Sequence, residues 1–313
     1  MSGGMFRRSV RVWLAALVAI AAASCSHKDL CYDHSHIVEL NVIFDWSEAP
    51  DATPRTMVLQ LFELDGSHYN RYEFGSTKGG IIRVRAGAYR MLFHNGDMEN
   101  VVESGSRYEE YEVMTVDREL LAPIGRASEA PRPGDAETQP VRFAPEPMWA
   151  GNSGPVELAR GAKGLSVTLV PRPVTTTYTV EIRNVENLQT APDLGGALTG
   201  LAASYRPCCG VPSGESVTVP LDMKRADDRT LTTTFSVFGH CPAGREEIHT
   251  FSIYTANKWY YHFDVTDQIH DPADPGHVRI VIDGLKLPSS TGGMDSSVSD
   301  WTDNEIETDI EMN

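Results

Sequence analysis

The chain has 313 residues, 41% of them hydrophobic, enough for one large or two medium domains with separate cores. With 27 Lys+Arg against 43 Asp+Glu the formal net charge is −16. So acidic a surface repels phosphate backbones, which excludes nucleic acid as an expected partner.

At the N-terminus, Arg7, Arg8 and Arg11 precede VWLAALVAIAAA, an apolar run from Val12 to Ala23. The run falls short of the roughly 20 residues that span a bilayer, but it matches the charged and apolar regions of a secretory signal. Ala22-Ala23-Ser24-Cys25 then resembles the lipobox of bacterial lipoprotein precursors, with alanine in place of the usual leucine at its first position. The resemblance implies a signal peptide over 1–24, acylation of Cys25, and a lipidated tether over 25–36. One acyl chain binds only marginally, so several would hold the protein at a membrane surface. Loss of residues 1–24 removes three arginines and no acids, leaving 24 Lys+Arg against 43 Asp+Glu and a mature net charge of −19. No later segment approaches 18 unbroken apolar residues, so the lipid is the only membrane attachment expected.

Period-two alternation dominates the rest of the chain. Val38, Leu40, Val42, Phe44 and Trp46 share one face of an extended segment, as do Val174, Thr176, Tyr178, Val180 and Ile182. Leu231, Thr233, Phe235 and Val237 repeat the pattern, then Trp259, Tyr261, Phe263 and Val265, then Val278, Ile280 and Ile282. These are half-buried strands rich in β-branched and aromatic residues. LDGS (64–67), RAGAY (85–89), VPSGE (211–215) and PADPG (272–276) are the expected turns between strands. Residues 98–111 are the one stretch that suits a short helix. Many short strands broken by turns predict an all-β, sandwich architecture.

Residues 122–161 hold seven of the 19 prolines and little alternation. They are expected to form a long loop within a first sandwich over 37–164, ahead of a second over 165–313. In the last ten residues, Ile306, Thr308, Ile310 and Met312 face one way and Glu305, Glu307, Asp309 and Glu311 the other. Such a strand suits an edge covering its own sandwich, and equally a strand lent to another subunit. Ile306, Thr308, Ile310 and Met312 are therefore the candidate strand-exchange residues.

Several groups invite chemistry. In an export compartment disulfides are permitted, and adjacent cysteines rarely pair, which leaves two full pairings of Cys31, Cys208, Cys209 and Cys241. A bridge from Cys208 or Cys209 to Cys241 is expected. Cys31, Asp33, His34 and His36 are metal donors by type, but are expected to be polar residues of the tether. His262, Asp264, Asp267, His270, Asp271 and Asp274 lack the twelve-residue calcium loop with its glycine, and are expected to be a solvated turn. No metal site or cofactor is predicted. In KWYYHF (258–263), Trp259 and Tyr261 face the core, and Tyr260 on the opposite face is the candidate ligand contact. The GxSxG, HExxH, GxxxxGK[ST] and GxGxxG patterns are all missing, so no enzyme activity is expected.

The segments CSHKDLCYDH, VIFDW with APDATP after it, EFGSTKGGIIRVRAGAYRMLFHNGD, EPMWAG, TTTYTVEIRNVENL and VSDWTDNEIETDI together resemble fimbrillin-like lipoproteins of Bacteroidales. More narrowly, the chain is similar to a domain-of-unknown-function family akin to the anchor subunits of fimbriae. The resemblance implies two tandem transthyretin-like (Greek-key) sandwiches, lipidated and held at the outer membrane. In that family major subunits polymerise by strand exchange after an arginine-specific protease trims the first strand, whereas anchor-type members keep their lipid. Arg160 and Arg172 are sites such a protease would accept, and Lys28-Asp29 is similar to the short signals that send such lipoproteins to the cell exterior. The expected function is a non-enzymatic anchor or accessory subunit of a fimbria-like adhesive assembly, with other fimbrial subunits as partners. The alternative is a surface lipoprotein that binds glycan beside an outer-membrane transporter.

Overall fold

The structure is a computed structural model that describes residues 36–126, 129–242, 247–288 and 301–305. Almost all of its regular structure is β. The first half of the chain supplies β1 (Ile37–Phe44), β2 (Met57–Glu63), β3 (His68–Phe74), β4 (Gly79–Arg85), β5 (Gly87–Asn95), β6 (Val101–Ser104) and β7 (Glu112–Thr115). After a stretch of loop and short 3-10 turns come β8 (Trp149–Asn152), β9 (Val156–Leu158), β10 (Leu165–Leu169) and β11 (Arg172–Pro173).

Two sheets of these strands form the first sandwich. One has the order β10-β1-β4, and the other β11-β8-β5-β2-β3 with β9 also on β5. Alternation does the work in β1: Val38, Leu40, Val42 and Phe44 are buried and pack on Met57, Leu59, Leu61, Met91 and Phe93 of the facing sheet. Residues between them point to solvent, as a half-buried strand requires.

The second sandwich is built from β12 (Thr176–Glu186), β13 (Leu194–Arg206), β14 (Val211–Asp222), β15 (Lys224–Asp227), β16 (Thr230–Val237), β17 (Thr250–Thr255), β18 (Trp259–Asp264), a short helix α1 (Thr266–His270), β19 (His277–Lys286) and β20 (Thr302–Glu305). A sheet ordered β15-β16-β12-β19 faces one ordered β20-β18-β17-β13-β7-β6, with β14 on β13. Tyr178, Val180, Ile182, Leu231, Val278 and Ile280 from the first meet Leu198, Val219, Phe251, Ile253 and Phe263 from the second. In each sandwich the first strand pairs in parallel with a late one: β1 with β10 from Leu40↔Leu165 to Phe44↔Leu169, and β12 with β19 from Thr177↔His277 to Glu186↔Lys286.

Residues 98–111 are not helical. Gly105 has φ +89, and a Cβ there would sit 2.3 Å from Glu110 O, so the chain reverses instead, and β6 and β7 pair antiparallel. That hairpin joins the large sheet of the second sandwich through Ser204↔Met114 and Tyr205↔Val113. It also caps the first sandwich, where Phe62 and Leu92 pack with Tyr108, Tyr111 and Val113. Both faces of β2 are thereby covered, which is why Met57 to Phe62 are buried without alternation.

VPSGE is not a turn either. It lies in β14, where Gly214 at φ +82 accompanies a bulge opposite Ala202–Ser204. The reversal comes earlier, at Pro207–Gly210. The proline-rich 122–161 contains β8 and β9, and Leu165–Leu169 lies in the first sandwich instead of opening the second. Pairing changes hands between Pro173 and Thr176. Alternation at Leu165, Val167 and Leu169 reports a buried face, and cannot report which sheet supplies it.

Candidate functional site

The edge of the large sheet in the second sandwich is where the terminal strand sits. β18 alternates as its sequence predicts: Tyr261 and Phe263 enter the core with Trp259 packed beside them. On one side β18 pairs antiparallel with β17. On the other it takes β20 in parallel, from Trp259↔Thr302 to His262↔Glu305. Thr302 N–H donates to Lys258 O at 3.0 Å. Just before it, the Trp301 ring meets Tyr254 edge-on at 5.8 Å, and its Nε1 donates to Glu129 O at 3.1 Å. The start of the terminal strand is thus laid in cis along an edge. The opposite flank of that sheet, β14, is partly covered by Pro140–Arg142, through Thr218 N–H to Pro140 O and Arg142 N–H to Thr218 O.

The strand-exchange residues Ile306, Thr308, Ile310 and Met312 lie outside the described residues, as do Cys25 and its tether with Cys31, Asp33 and His34. Among the described residues, no helix is long and apolar enough to cross a membrane.

Tyr260 does point away from the core, as expected, but it is only 2% exposed. It stacks on Tyr254 at 5.3 Å, and both are roofed by Leu121, Ile124 and Ala130 from the proline-rich segment. Tyr254 Oη donates to Pro131 O at 2.9 Å. The face was legible in the sequence; the cover was not. No ligand can stack on Tyr260 in this arrangement.

The expected bridge from Cys208 or Cys209 to Cys241 is not formed in the structure. Cys208 packs at the junction of the sandwiches, with its Sγ 3.1 Å from that of Cys209. Burial, and then the neighbouring Cys209, push the Cys208 thiol up to about 12, so it is not a reactive thiolate. Cys241 lies elsewhere, among histidines: its Sγ is 3.4 Å from His249 Nε2 and 3.3 Å from His270 Nε2. Sequence spacing had placed His270 in a solvated turn. Its acidic neighbours do behave so, Asp264 accepting from Thr266 N–H and Asp274 from Gly276 N–H.

The family described as "Domain of unknown function (DUF5119)" matches residues 24–222. A curated protein of Bacteroides ovatus named "Putative fimbrium anchoring subunit Fim4B" is 21% identical over 219 residues, which cover 68% of this chain and 60% of that protein. The chain therefore spans well under the full length of that relative. In fold, a structure of a "putative adhesin" from Bacteroides ovatus superposes with a TM-score of 0.56 at 17% identity, covering 81% of this chain and 94% of the other. The fimbrial anchor protein Mfa2 from Porphyromonas gingivalis does so with a TM-score of 0.50 at 13% identity, covering 79% and 90%.

Proposed function

Because this chain belongs to the family described as "Domain of unknown function (DUF5119)", and because its curated relative is named for anchoring a fimbrium, we propose that it is a non-enzymatic anchor or accessory subunit of a fimbria-like adhesive assembly. It would be lipidated at Cys25, held at the outer membrane and displayed on the cell surface. Two domains remain the proposed division, with the boundary moved from residue 165 to the strand handover at 173–176, because β10 and β11 pair within the first sandwich.

The observation that carries the mechanism is the pair of contrasting end strands. β1 is locked between β10 and β4, so the first sandwich already holds its own first strand and offers no groove for a donor there. Among the described residues, β20 pairs along one side, with β18. Backbone groups at such an edge pair with whichever extended strand reaches them, while alternate apolar residues choose the partner. The terminal segment with Ile306, Ile310 and Met312 is the strand we assign to that exchange.

A photoreactive residue at Thr308, activated on whole cells, tests this. Crosslinks to a second protein are expected, and mass spectrometry would then name the neighbouring subunit. Crosslinks confined to residues 165–290 would show a strand that closes its own sandwich and would remove exchange from the mechanism. The glycan alternative has lost the aromatic on which it stood, since Tyr260 is covered.

A further inference from the structure

Three separate parts of the second sandwich converge on one point. His240 and Cys241 follow β16, His249 precedes β17, and His270 ends α1. His249 is fully buried, and the sheet is shaped to receive it. At the β13 bulge between Leu198 and Leu201, Gly200 has φ +77, and a Cβ there would lie 2.4 Å from His249 Nδ1. Cys241, at φ +47, also holds the left-handed conformation, which a non-glycine residue rarely adopts.

The proton positions follow from the partners. His249 Nδ1 lies 3.0 Å from Thr199 O, and a carbonyl only accepts, so Nδ1 carries the hydrogen. In the neutral ring Nε2 then presents a lone pair. That Nε2 is 3.1 Å from His270 Nε2 and 3.4 Å from Cys241 Sγ, while His270 Nε2 is 3.3 Å from the same Sγ. The two rings stand at 89°. A hydrogen bond between the two ring nitrogens accounts for one edge of this triangle, but it leaves the sulfur in contact with both nitrogens at once.

A single cation at the centre satisfies all three. Tetrahedral zinc, with Zn–N about 2.0–2.1 Å and Zn–S about 2.3 Å, sets N···N edges near ~3.3 Å and S···N edges near ~3.6 Å. The observed triangle is close to that figure. His240 offers a further donor on the other side of the same pair: a ring nitrogen of His240, Cys241 Sγ and a His270 nitrogen fall within 4.8 Å of one another, a looser set that does not include His249. His240 Nδ1 is 3.0 Å from Tyr178 Oη. The Thr199 carbonyl and Tyr178 hydroxyl thus hold two of the rings from outside, as outer partners of metal-bound histidines do.

We infer that His240, Cys241, His249 and His270 form a structural site for a borderline divalent transition-metal cation, zinc by the softness and geometry of its donors. The ion would tie the end of β16 to the start of β17 and to α1. Three imidazoles and one thiolate suit such an ion far better than calcium or magnesium, which take oxygen ligands.

The test uses the full mature chain, without a polyhistidine tag, dialysed against zinc sulfate and then against metal-free buffer. About one zinc per chain is expected by mass spectrometry of the metal. Cobalt(II) in its place should show the intense visible bands of a tetrahedral ion and a thiolate charge-transfer band. Cys241→Ser should abolish that band, and His270→Gln should weaken binding by more than the roughly 10–100-fold typical of losing an outer partner. Cys208→Ser/Cys209→Ser should leave both unchanged. Because Cys241→Ser alters one atom, its circular dichroism separates lost ligation from lost folding. No retained zinc in the parent chain, or equal zinc and an unchanged cobalt spectrum in Cys241→Ser and His270→Gln, would overturn the assignment.

Discussion

Gln60, Arg71 and His94 all reach the carboxylate of Glu103. Gln60 Nε2 donates at 2.6 Å, Arg71 Nε and Nη2 donate at 3.0 Å, and His94 Nε2 lies 3.4 Å away. Burial by itself would raise the Glu103 pKa, but the hydrogen bonds from His94 and Arg71 outweigh it and hold the group at about 2. A carboxyl depressed on folding contributes stability above its unfolded pKa and loses it as pH falls through the folded value. Stability should therefore decline from about pH 4.5 down to about pH 2, by on the order of 2–3 kcal/mol from this group. Urea titrations at successive pH values should show a smaller acid-range decline in Glu103→Gln than in the parent chain. An identical pH profile for the two would mean that the network is not formed. Nothing in the sequence announced these four residues, because they sit 9 to 43 positions apart and the fold alone unites them. The same holds for Cys241. Its compartment and count were readable, but its histidines lie 8 and 29 residues downstream, a spacing that matches no compact metal motif.

Strands were the most legible elements. Where one face is core and the other water, alternation predicted the buried residues of β1 and Val278, Ile280 and Ile282 of β19, but not Leu285, which follows Gly284 at φ +82 out of phase. It failed where both faces are covered, as in β2 and β13, and where a glycine bulge imitates a turn, as at Gly214. β20 allows a direct test at this scale. Ending the chain after Asp300 should leave the Trp259–Asp264 edge without its parallel neighbour, and an uncovered edge exchanges its amides faster and invites pairing with other chains. Deuterium uptake is expected to rise in β18 and to stay low in β17, which remains between β13 and β18. Unchanged uptake in β18 would show that β20 gives it no cover.

The two sandwiches are joined by more than their connecting chain. Phe62 and Leu92 of the first share one cluster with Ala202, Tyr205 and Phe238 of the second, and with Tyr108, Tyr111 and Val113 between them. Phe62, fully buried, meets the rings of Tyr108 and Tyr111 at 5.6 and 5.9 Å. So apolar a junction should make the chain unfold as one unit. Phe62→Ala is expected to cost about 3–5 kcal/mol and to split the calorimetric transition into two. A single, merely shifted peak would place the coupling elsewhere. Composition foretold two cores, but not this third, because its residues look in sequence like ordinary members of the other two. If the proposed anchoring holds one end of the chain while a fibre pulls the other, the parallel pairs β1–β10 and β12–β19 carry a mechanical meaning. The chain enters the first sandwich at the start of β1 and leaves beyond the end of β10. In the second, the outer points of the parallel pair are the start of β12 and the end of β19, with β20 following on the edge beside β18. In a parallel pair those two points lie at opposite ends of the ladder, so tension shears every hydrogen bond together, whereas an antiparallel pair would unzip them one at a time.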